Sequence, residues 1–409
     1  MTINAVLLSL LCSTFLTSKV RPRIFCNAPI KACSAVCAIS TQNRYAASNI
    51  LRRILNCCQT TVTGLAKSRK ASTIATLGSH CALQVLKGAH DEGFKTLLVC
   101  EKKRVGLYSR FGFIDEMVTV DKFSEFLEEK IQKKLANSVL VPHGTLISQM
   151  SADQIEKIGV PVFGNKWILR WEADRLLKEK MMQDAGLRTP RQVKSKNEIN
   201  GLCIVKLHGA AGGRGYYLAW DKQSFEEGAK RLVDQNLIKG EQDLYIQEFV
   251  RGVTVYLQYF YSPLTDTLEL LGIDRRYESD VDGLGRIPAR QQLGAAIEPS
   301  YNVVGNLPLV IRESLLEGVY KMGEDFVAAA NRLVKPGMPG PFCLEGVYDA
   351  EGQFTTFEFS ARIVAGTNLY VDGSPYSGLL YDEPMSMGRR IAREVKIAKR
   401  KGKLDKILT

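Results

Sequence analysis

A glycine-rich segment between two short apolar runs constrains the fold of this chain more than any other stretch. The first run begins at Ile204 and ends on Lys206, four glycines follow within residues 209–215, and a second run begins at Tyr216. Glycine lets a backbone approach an anion closely and turn its N–H groups toward it, and a lysine adds positive charge. The segment therefore predicts either a loop that binds nucleotide phosphates or an ordinary glycine-rich hairpin.

Two better-known phosphate-binding patterns do not occur in the chain. The P-loop pattern G-x-x-x-x-G-K-[ST] is missing, and so is the Rossmann pattern G-x-G-x-x-G at the start of a helix. A glycine loop between two strands, with a lysine on the first strand, is instead the arrangement of ATP-grasp enzymes. On this interpretation the nucleotide-binding candidates are Lys206, Gly209, Gly212, Gly213 and Gly215.

The net charge of +12 at pH 7 comes mainly from one end of the chain. Residues 1–70 contain ten Lys and Arg and no Asp or Glu, whereas residues 71–409 contain 45 basic and 43 acidic residues. The body therefore carries a charge of only +2, which leaves a nucleic-acid partner with little support. Six of the ten cysteines also lie before residue 71, and no C-x-x-C pair indicates a metal site. We expect a cytoplasmic body without nucleic-acid or membrane partners.

The first 70 residues differ from the rest of the chain. Their apolar stretch, from Ala5 to Leu16, is too short to span a membrane. The remainder is rich in serine and free of acidic residues. We expect an extension without a packed core, which is either a targeting segment or upstream sequence from a misassigned start codon. An additional small domain is the alternative.

Residues 71–165 alternate between strand and helix patterns. Helices are predicted at Ala82–Glu92 and Ser124–Leu135, and the predicted strands are Ser72–Leu77, Thr96–Cys100, Glu116–Val120, Val139–Pro142 and Val160–Phe163. Such alternation predicts a parallel sheet covered on both faces, with ligands beyond the carboxyl ends of its strands. His80 follows one strand and Thr145 another, so both belong to this rim. A histidine that only caps a helix or fills the core is the alternative for His80.

Residues 166–409 are predicted to form the nucleotide-binding part of the chain. A long helix, Trp167–Ala185, carries Lys178, which faces either a ligand or only solvent. The strand that contains Gln247, Glu248 and Val250 could place backbone groups beside an adenine ring. The charged run from Asp274 to Glu278, at the end of another strand, indicates a site.

A hairpin near the end of the chain brings two carboxylates together. The strands Phe342–Val347 and Phe354–Phe359 flank a turn, and this length places Glu345 and Glu358 nearly opposite each other on one face. At a separation of roughly 5 Å the two would repel unless they were neutralised. A Mg²⁺ ion that joins them to nucleotide phosphates would remove the conflict. Two exposed glutamates are the alternative.

Several segments, in order along residues 72–395, match one known family. They are Ile74–His80, Val141–Gly144, Phe163–Asn165, Ile168–Asp174, Val205–Ala210, Leu270–Glu278, Val304–Asn306 and Phe357–Asn368. Through them the chain resembles PurP, the archaeal family of formate-dependent ligases of purine biosynthesis. The resemblance implies an α/β fold in which a parallel-sheet N-terminal domain, residues 71–165, precedes an ATP-grasp region, residues 166–409. That region would comprise a central nucleotide subdomain and a C-terminal Mg²⁺-binding subdomain.

The resemblance also implies a reaction. Members of this family use ATP and formate to formylate the 5-amino group of 5-aminoimidazole-4-carboxamide ribonucleotide (AICAR). The products are the formamido ribonucleotide (FAICAR), ADP and phosphate, and formyl phosphate is the intermediate. Mg²⁺ or Mn²⁺ is the implied metal, and a ring-like homo-oligomer such as a hexamer is the implied assembly.

Roles for individual residues follow from the same resemblance. AICAR is expected at His80, Thr145 and Asn306, and the metal at Glu345 and Glu358. Lys206 and Arg362 are expected to be catalytic. The expected ATP-binding residues are Lys178, Lys206, Gly209, Gly212, Gly213, Gly215, Gln247, Glu248, Val250 and Glu278.

Three positions depart from the family pattern. Thr145 and Cys81 stand where serine is usual, and Ala211 stands where a lysine is expected.

Three other functions stay open. The first alternative is a ligase for another small carboxylate, and the second is a sensor that binds AICAR without catalysis. The third is a basic nucleic-acid-binding protein, which only residues 1–70 support.

Overall fold

Short apolar runs form a parallel sheet in the first part of the chain that the structure describes. In the computed structural model, which describes residues 72–207, 216–295 and 302–409, this sheet has the strand order β3-β2-β1-β4. Every neighbouring pair in it is parallel, which confirms the predicted N-terminal sheet. Its strands are β1 Thr73–Leu77, β2 Lys95–Glu101, β3 Glu116–Val120 and β4 Ser138–Leu140. The predicted N-terminal extension and the glycines of the predicted loop fall outside the described residues.

Two elements predicted in this region are wrong. Ser124–Leu135 is not one helix, because the backbone at Glu128 is extended (ψ 138°) and separates a 3-10 turn from a short helix. Val160–Phe163 is not a strand, because Val162 and Phe163 form only isolated bridges, with Leu140 and Leu408. The helices here are α1 Ala82–Asp91, α2 Val105–Tyr108, α3 Glu129–Lys134, α4 Gly144–Gln149 and α5 Ala152–Glu156.

A small antiparallel sheet flanks the glycine-rich segment. Its strand order is β5-β8-β6-β7, and α8, Lys222–Asp234, packs against it. The strands are β5 Gln192–Val193, β6 Cys203–Leu207, β7 Tyr217–Ala219 and β8 Leu244–Glu248. Lys206 lies on β6, and β6 and β7 are antiparallel neighbours. The predicted arrangement of two strands around the glycines, with the lysine on the first, is therefore confirmed.

A larger antiparallel sheet carries the carboxylate hairpin. Its order is β11-β10-β9-β12-β13, so β10 and β12 both flank β9. The strands are β9 Val253–Ser262, β10 Thr267–Glu278, β11 Val303–Pro308, β12 Gly340–Tyr348 and β13 Phe354–Ser360. The remaining helices are α6 Ile168–Ala173, α7 Arg175–Asp184, α9 Ser279–Leu284, α10 Ala289–Ala295, α11 Leu316–Leu333 and α12 Met387–Lys401.

The predicted helix Trp167–Ala185 is interrupted at one residue. Asp174 is extended (φ −91°, ψ 124°), and α6 ends directly before it. Its carboxylate accepts a hydrogen bond from the Leu177 backbone N–H at 3.0 Å and so caps the start of α7. An aspartate favours this capping position over a helix interior, because its side chain competes for backbone N–H groups. Because of this break, α7 does not have to continue in the direction of α6.

Aromatic side chains fill the core between α11 and the large sheet. The Phe326 ring is fully buried, 5.0 Å from the Phe342 ring and 4.9 Å from the Phe359 ring. The same core continues through the parallel sheet, and all described residues belong to one compact unit. The boundary between residues 165 and 166 therefore stays a prediction. No helix in the described ranges is both long and apolar enough to cross a bilayer.

Removing the Phe326 ring should destabilise the protein strongly. We expect Phe326→Ala to lower the free energy of unfolding by about 3–5 kcal/mol, because the ring's burial and its packing partners are lost together. Leu176→Ala is the matched control, since this side chain is 70% exposed and its loss should cost less than about 0.5 kcal/mol. Denaturant unfolding measures both values, and similar small losses would contradict this account of the core.

Candidate active site

A cavity of about 700 Å³ opens between the two antiparallel sheets. Its wall is formed by residues of β6, β8, β9, β10, β11, β12, β13, α6 and α7, together with loop residues. Most of the predicted site residues line this one space: His80, Lys178, Lys206, Gln247, Glu248, Val250, Glu278, Asn306, Glu345, Glu358 and Arg362. Residues that are far apart in the sequence therefore share one cavity, although their predicted roles remain predictions.

The two glutamates of the hairpin lie side by side. Glu345 on β12 pairs directly with Glu358 on β13, which confirms the predicted register. Each carboxylate already contacts a cation. Arg276 Nη2 lies 2.8 Å from Glu345 Oε2, and the Lys178 ammonium bonds to Glu358 Oε1. The repulsion expected from the sequence is thus relieved by protein cations, and a metal ion is not needed for that purpose alone.

The ion pair between Lys178 and Glu358 keeps both groups charged. Burial favours the neutral carboxyl group, yet the Lys178 ammonium, together with the charges of Arg276 and Lys206, outweighs it and lowers the pKa of Glu358 to about 2. Burial likewise disfavours the Lys178 ammonium, but the Glu358 carboxylate raises the pKa of Lys178 above its usual value. A charge that is buried without a partner would be far more costly.

The second lysine on the wall has a neutral partner. Lys206 Nζ donates to Gln247 Oε1 at 3.0 Å and lies 5.7 Å from the centre of the Phe357 ring. Burial, together with the positive charges of Arg175 and Lys178, lowers the pKa of Lys206 to about 8 against the opposing effect of the Glu358 carboxylate. Lys206 is therefore charged at neutral pH and loses its charge in mildly alkaline solution.

His80 follows the carboxyl end of β1 and has a constrained backbone conformation. Its φ of 46° is unusual for a residue with a side chain. Its ring stacks on His143, with centroids 5.8 Å apart and planes 9° from parallel. Gly144 allows this approach, since a Cβ there would lie 2.6 Å from His80 Nε2. Burial, and next the Arg362 charge, lower the pKa of His80 to about 4, so the imidazole is neutral.

His143 supports His80 from inside the fold. Its Nε2 donates to the Leu77 carbonyl at 2.9 Å, and its Nδ1 accepts from the Thr145 backbone N–H at 3.2 Å. Thr145 itself is buried and, unlike His80, is not part of the cavity wall. The predicted role of Thr145 at the ribonucleotide thus stays a prediction, without a wall position to support it.

Sequence reasoning missed several polar residues of the wall. Arg276 reaches Glu345 and lies 4.0 Å from the centre of the Tyr256 ring, while Asp274 accepts a bond from Asn306 Nδ2 at 2.7 Å. Both belong to the charged run that indicated a site, so the signal was present without an assignment. Glu172 lies in the segment Ile168–Asp174 that matches the family, but it too received no assignment. Its carboxylate pairs with Arg362 at 2.9 Å and holds that cation at the wall.

The donor set at the carboxylate pair suits a hard divalent cation. No group of three or more His, Cys, Asp or Glu side chains in the described ranges is arranged around a metal position. Mg²⁺, however, is commonly bound by one or two carboxylates when phosphates and waters supply the other oxygens. Glu358 keeps 38% of its side chain exposed beside the cavity, so its carboxylate can reach a ligand there. The residues therefore fit Mg²⁺ that arrives with a nucleotide.

Comparisons with known proteins match this chain over most of its length. A family model described as a protein of unknown function (DUF1246) matches residues 74–193, and one described as a domain of unknown function (DUF1297) matches residues 224–409. A curated 5-formaminoimidazole-4-carboxamide-1-(beta)-D-ribofuranosyl 5'-monophosphate synthetase of Cenarchaeum symbiosum is 61% identical over 339 residues. The match covers 82% of this chain and 99% of that protein. The chain belongs to this synthetase family.

Solved structures agree with membership in the synthetase family. The crystal structure of the IMP biosynthesis protein PurP from Thermococcus kodakaraensis matches with a TM-score of 0.66 and 32% identity, over 82% of this chain and all of that one. The biotin carboxylase domain of Hydrogenobacter thermophilus 2-oxoglutarate carboxylase, solved with MgADP, matches with a TM-score of 0.57 over 80% of this chain and 69% of that one. At 13% identity the second match shows the fold alone. Together they confirm the predicted ATP-grasp-type fold.

Nucleotide affinity should depend on pH through Lys206. Because the lysine loses its charge as pH rises through about 8, we expect ADP to bind about tenfold more weakly at pH 9 than at pH 7. Lys206→Arg should bind ADP with little change over this range, since a guanidinium stays protonated. Calorimetric titration measures both affinities. The matched control is Lys180→Arg on the exposed side of α7, which should keep the wild-type slope. A wild-type affinity that is constant from pH 7 to 9 would contradict the assignment.

Proposed function

We propose that this chain uses ATP and formate to formylate the 5-amino group of AICAR, giving FAICAR, ADP and phosphate. The observation that carries the proposal is the Glu345–Glu358 pair, which lies with Lys178 and Lys206 on the wall of one cavity. These groups suit phosphoryl transfer, for which the protein mainly supplies positioning and charge. The name of the Cenarchaeum symbiosum relative specifies the formamido ribonucleotide as the product, and that relative covers nearly the whole body of this chain.

The need for ATP follows from the chemistry of formate. Formate is a poor acyl donor, because an amine that attacks it would have to expel hydroxide or oxide. A formate oxygen attacks the γ-phosphorus of ATP, ADP leaves, and formyl phosphate forms. The 5-amino nitrogen of AICAR then attacks the formyl carbon, and phosphate leaves with the electron pair of the broken C–O bond. The enzyme must align the three reactants and hold charge in place.

The cations and carboxylates of the wall divide this work. Lys206 and Lys178 would contact the phosphate oxygens and offset the negative charge of the transferring group. Glu345 and Glu358 would hold Mg²⁺ or Mn²⁺, which when bound neutralises phosphate charge. Arg362, fixed by Glu172, adds positive charge near the carboxylate pair. Phosphate oxygens would then take over part of the neutralising role that the glutamates play for Lys178.

AICAR would occupy the side of the cavity nearest β1 and β11. His80 is neutral and can recognise the ligand by hydrogen bonding rather than by charge. Asn306 lies on β11, on the same wall. A homo-oligomeric assembly remains part of the proposal through family resemblance only.

The reaction should require every component. Purified protein with Mg²⁺, ATP, formate and AICAR should release one ADP for each FAICAR formed, and omission of any component should abolish product, because formate must be activated before the amine attacks. Chromatography of nucleotides and FAICAR measures the ratio. Acetate should replace formate poorly, since its methyl group would clash in a pocket sized for one carbon. Binding of AICAR without ADP formation would favour a sensor, and turnover with only another carboxylate would overturn the substrate assignment.

Glu358→Gln should raise the requirement for Mg²⁺. One ligand charge is lost while the side chain keeps its size, so we expect the Mg²⁺ concentration for half-maximal activity to rise at least tenfold. Glu351→Gln is the matched control, because Glu351 is exposed in the turn of the same hairpin. A thermal melt should accompany both assays, since Lys178 loses its charged partner in Glu358→Gln. An unchanged Mg²⁺ dependence in a folded Glu358→Gln protein would refute the metal assignment.

A further inference from the structure

The second half of the proposed reaction releases a proton that needs an acceptor. As the 5-amino nitrogen bonds to the formyl carbon, the nitrogen becomes positively charged and must lose one hydrogen. A carboxylate in hydrogen-bond reach of that nitrogen can take it, which commonly contributes about 10²- to 10⁴-fold to the rate. The group must be unprotonated before the attack and must not be held tightly by a cation.

The carboxylates of the described cavity wall differ in this respect. Glu345 is bonded to Arg276, and Glu358 to Lys178, so each of these carboxylates is already held by a cation. Glu278 lies at the far end of β10, four residues beyond Asp274. Among the described residues, the side chains that donate to Asp274 are neutral amides, since Gln258 Nε2 and Asn306 Nδ2 donate to its two oxygens. Of these carboxylates, Asp274 combines neutral hydrogen-bond donors with a direct contact to a predicted AICAR residue.

Asp274 is fixed in place and kept from water. Its side chain is almost completely buried, although it borders the cavity. Gly366 covers it so closely that a Cβ at that position would lie 2.1 Å from Asp274 Oδ1. Each carboxylate oxygen has two lone pairs, so a bond from an amide leaves room for another donor. Burial raises the pKa of Asp274 to about 6, which makes it a stronger base than an exposed aspartate.

The contact with Asn306 also fixes the direction of that amide. A carboxylate can only accept hydrogen bonds, so the NH₂ end of Asn306 must point at Asp274. The Asn306 oxygen is then the end that can accept a bond from an amino group of a ligand. An amine held by this oxygen would lie beside the Asp274 carboxylate.

We propose that Asp274 accepts the proton that the 5-amino group of AICAR loses as it attacks formyl phosphate. The N–C bond forms, the C–O bond to phosphate breaks with its electron pair going to phosphate, and the proton moves from nitrogen to an Asp274 oxygen. This inference rests on the proposed function and adds a catalytic residue to it. The proton afterwards leaves to solvent when the products depart.

Several ionisable groups act on Asp274 from the surrounding strands and must be considered in its pH dependence. After burial, which dominates, the hydrogen bonds from Asn306 and Gln258 and the Arg276 charge lower its pKa, whereas Glu345 raises it. The other titratable groups that face it are Tyr256 on β9, Cys343 on β12 and Tyr370 after β13. Burial raises the pKa of each of these three groups, so all are neutral where Asp274 titrates.

The pH dependence of the wild-type turnover tests the inference first. With all substrates saturating, kcat should fall as pH drops through about 6, because a protonated Asp274 cannot accept the proton. The 5'-phosphate of AICAR also titrates near this pH. A variant must therefore show which group causes the fall of kcat at acidic pH, called the acid limb of the profile. A wild-type kcat that is constant from pH 5 to 8 would overturn the proposal even if no variant folded.

The variant Asp274→Asn shows whether the acid limb of the kcat profile belongs to Asp274. It keeps the size of the side chain and one acceptor oxygen that can still receive the Asn306 NH₂ group, so AICAR and ADP should bind within about threefold of wild type. Its kcat should fall about 10²- to 10⁴-fold and lose the acid limb. Asp372→Asn, at an exposed aspartate, should leave kcat and its pH profile unchanged.

Three results would contradict the inference. One is near-wild-type turnover of a folded Asp274→Asn protein, and another is an acid limb that persists in it, which would belong to the substrate phosphate. The third is a parallel loss of AICAR binding and thermal stability that accounts for the whole effect, since Asp274 would then only support Asn306. Failure of the wild-type protein to make FAICAR would instead contradict the proposed function, and this inference with it.

Discussion

The pairing of two like-charged side chains on adjacent strands is the constraint on which the site depends. Antiparallel strands with this register hold the Cβ atoms of Glu345 and Glu358 roughly 5 Å apart, and two carboxylates at that separation would repel by about 3 kcal/mol at an effective dielectric constant of about 20. The fold offsets this cost with Arg276 from β10 and Lys178 from α7. The order of the strands and the placement of α7 therefore matter for the cavity, because they bring these two cations to the glutamates.

This arrangement leaves the wall ready for an anionic ligand. Lys178, Arg276 and Arg362 each form an ion pair with a glutamate, so their positive charges are balanced by side chains of the protein itself. In the proposed function, a triphosphate with its divalent cation would replace some of these pairs by equivalent ones, so that neither state would need an isolated buried charge. Lys206, with a neutral amide partner, and His80, a neutral imidazole, differ in kind from the paired cations. They can respond to a ligand without breaking an ion pair.

The part of the site that depends on local spacing could be predicted from the sequence. The alternation of side chains along two short strands predicted that Glu345 and Glu358 lie opposite each other on one face. The apolar runs around the glycines predicted that Lys206 lies on a strand. The family resemblance then supplied the expected substrates. Local spacing also predicted the parallel sheet, because each strand in it is followed by a helix or turn of recognisable pattern.

The counterions could not be predicted in this way. Arg276 is 69 residues from Glu345 and Lys178 is 180 residues from Glu358, so nothing in the local pattern pairs them. The break at Asp174 was missed because the apolar stripe continues through it, and capping geometry overrode the helical period. Asp274 was visible as a charge at a strand end, but its amide partners come from two neighbouring strands.

The central claim is that the γ-phosphoryl group is transferred to formate in this cavity before the amine attacks. Formate labelled with ¹⁸O in both oxygens tests it directly, with mass spectrometry of the products of one complete reaction. The account predicts that each phosphate released carries one ¹⁸O and that the formyl group of FAICAR retains the other. Label in AMP, or released phosphate without label, would contradict it.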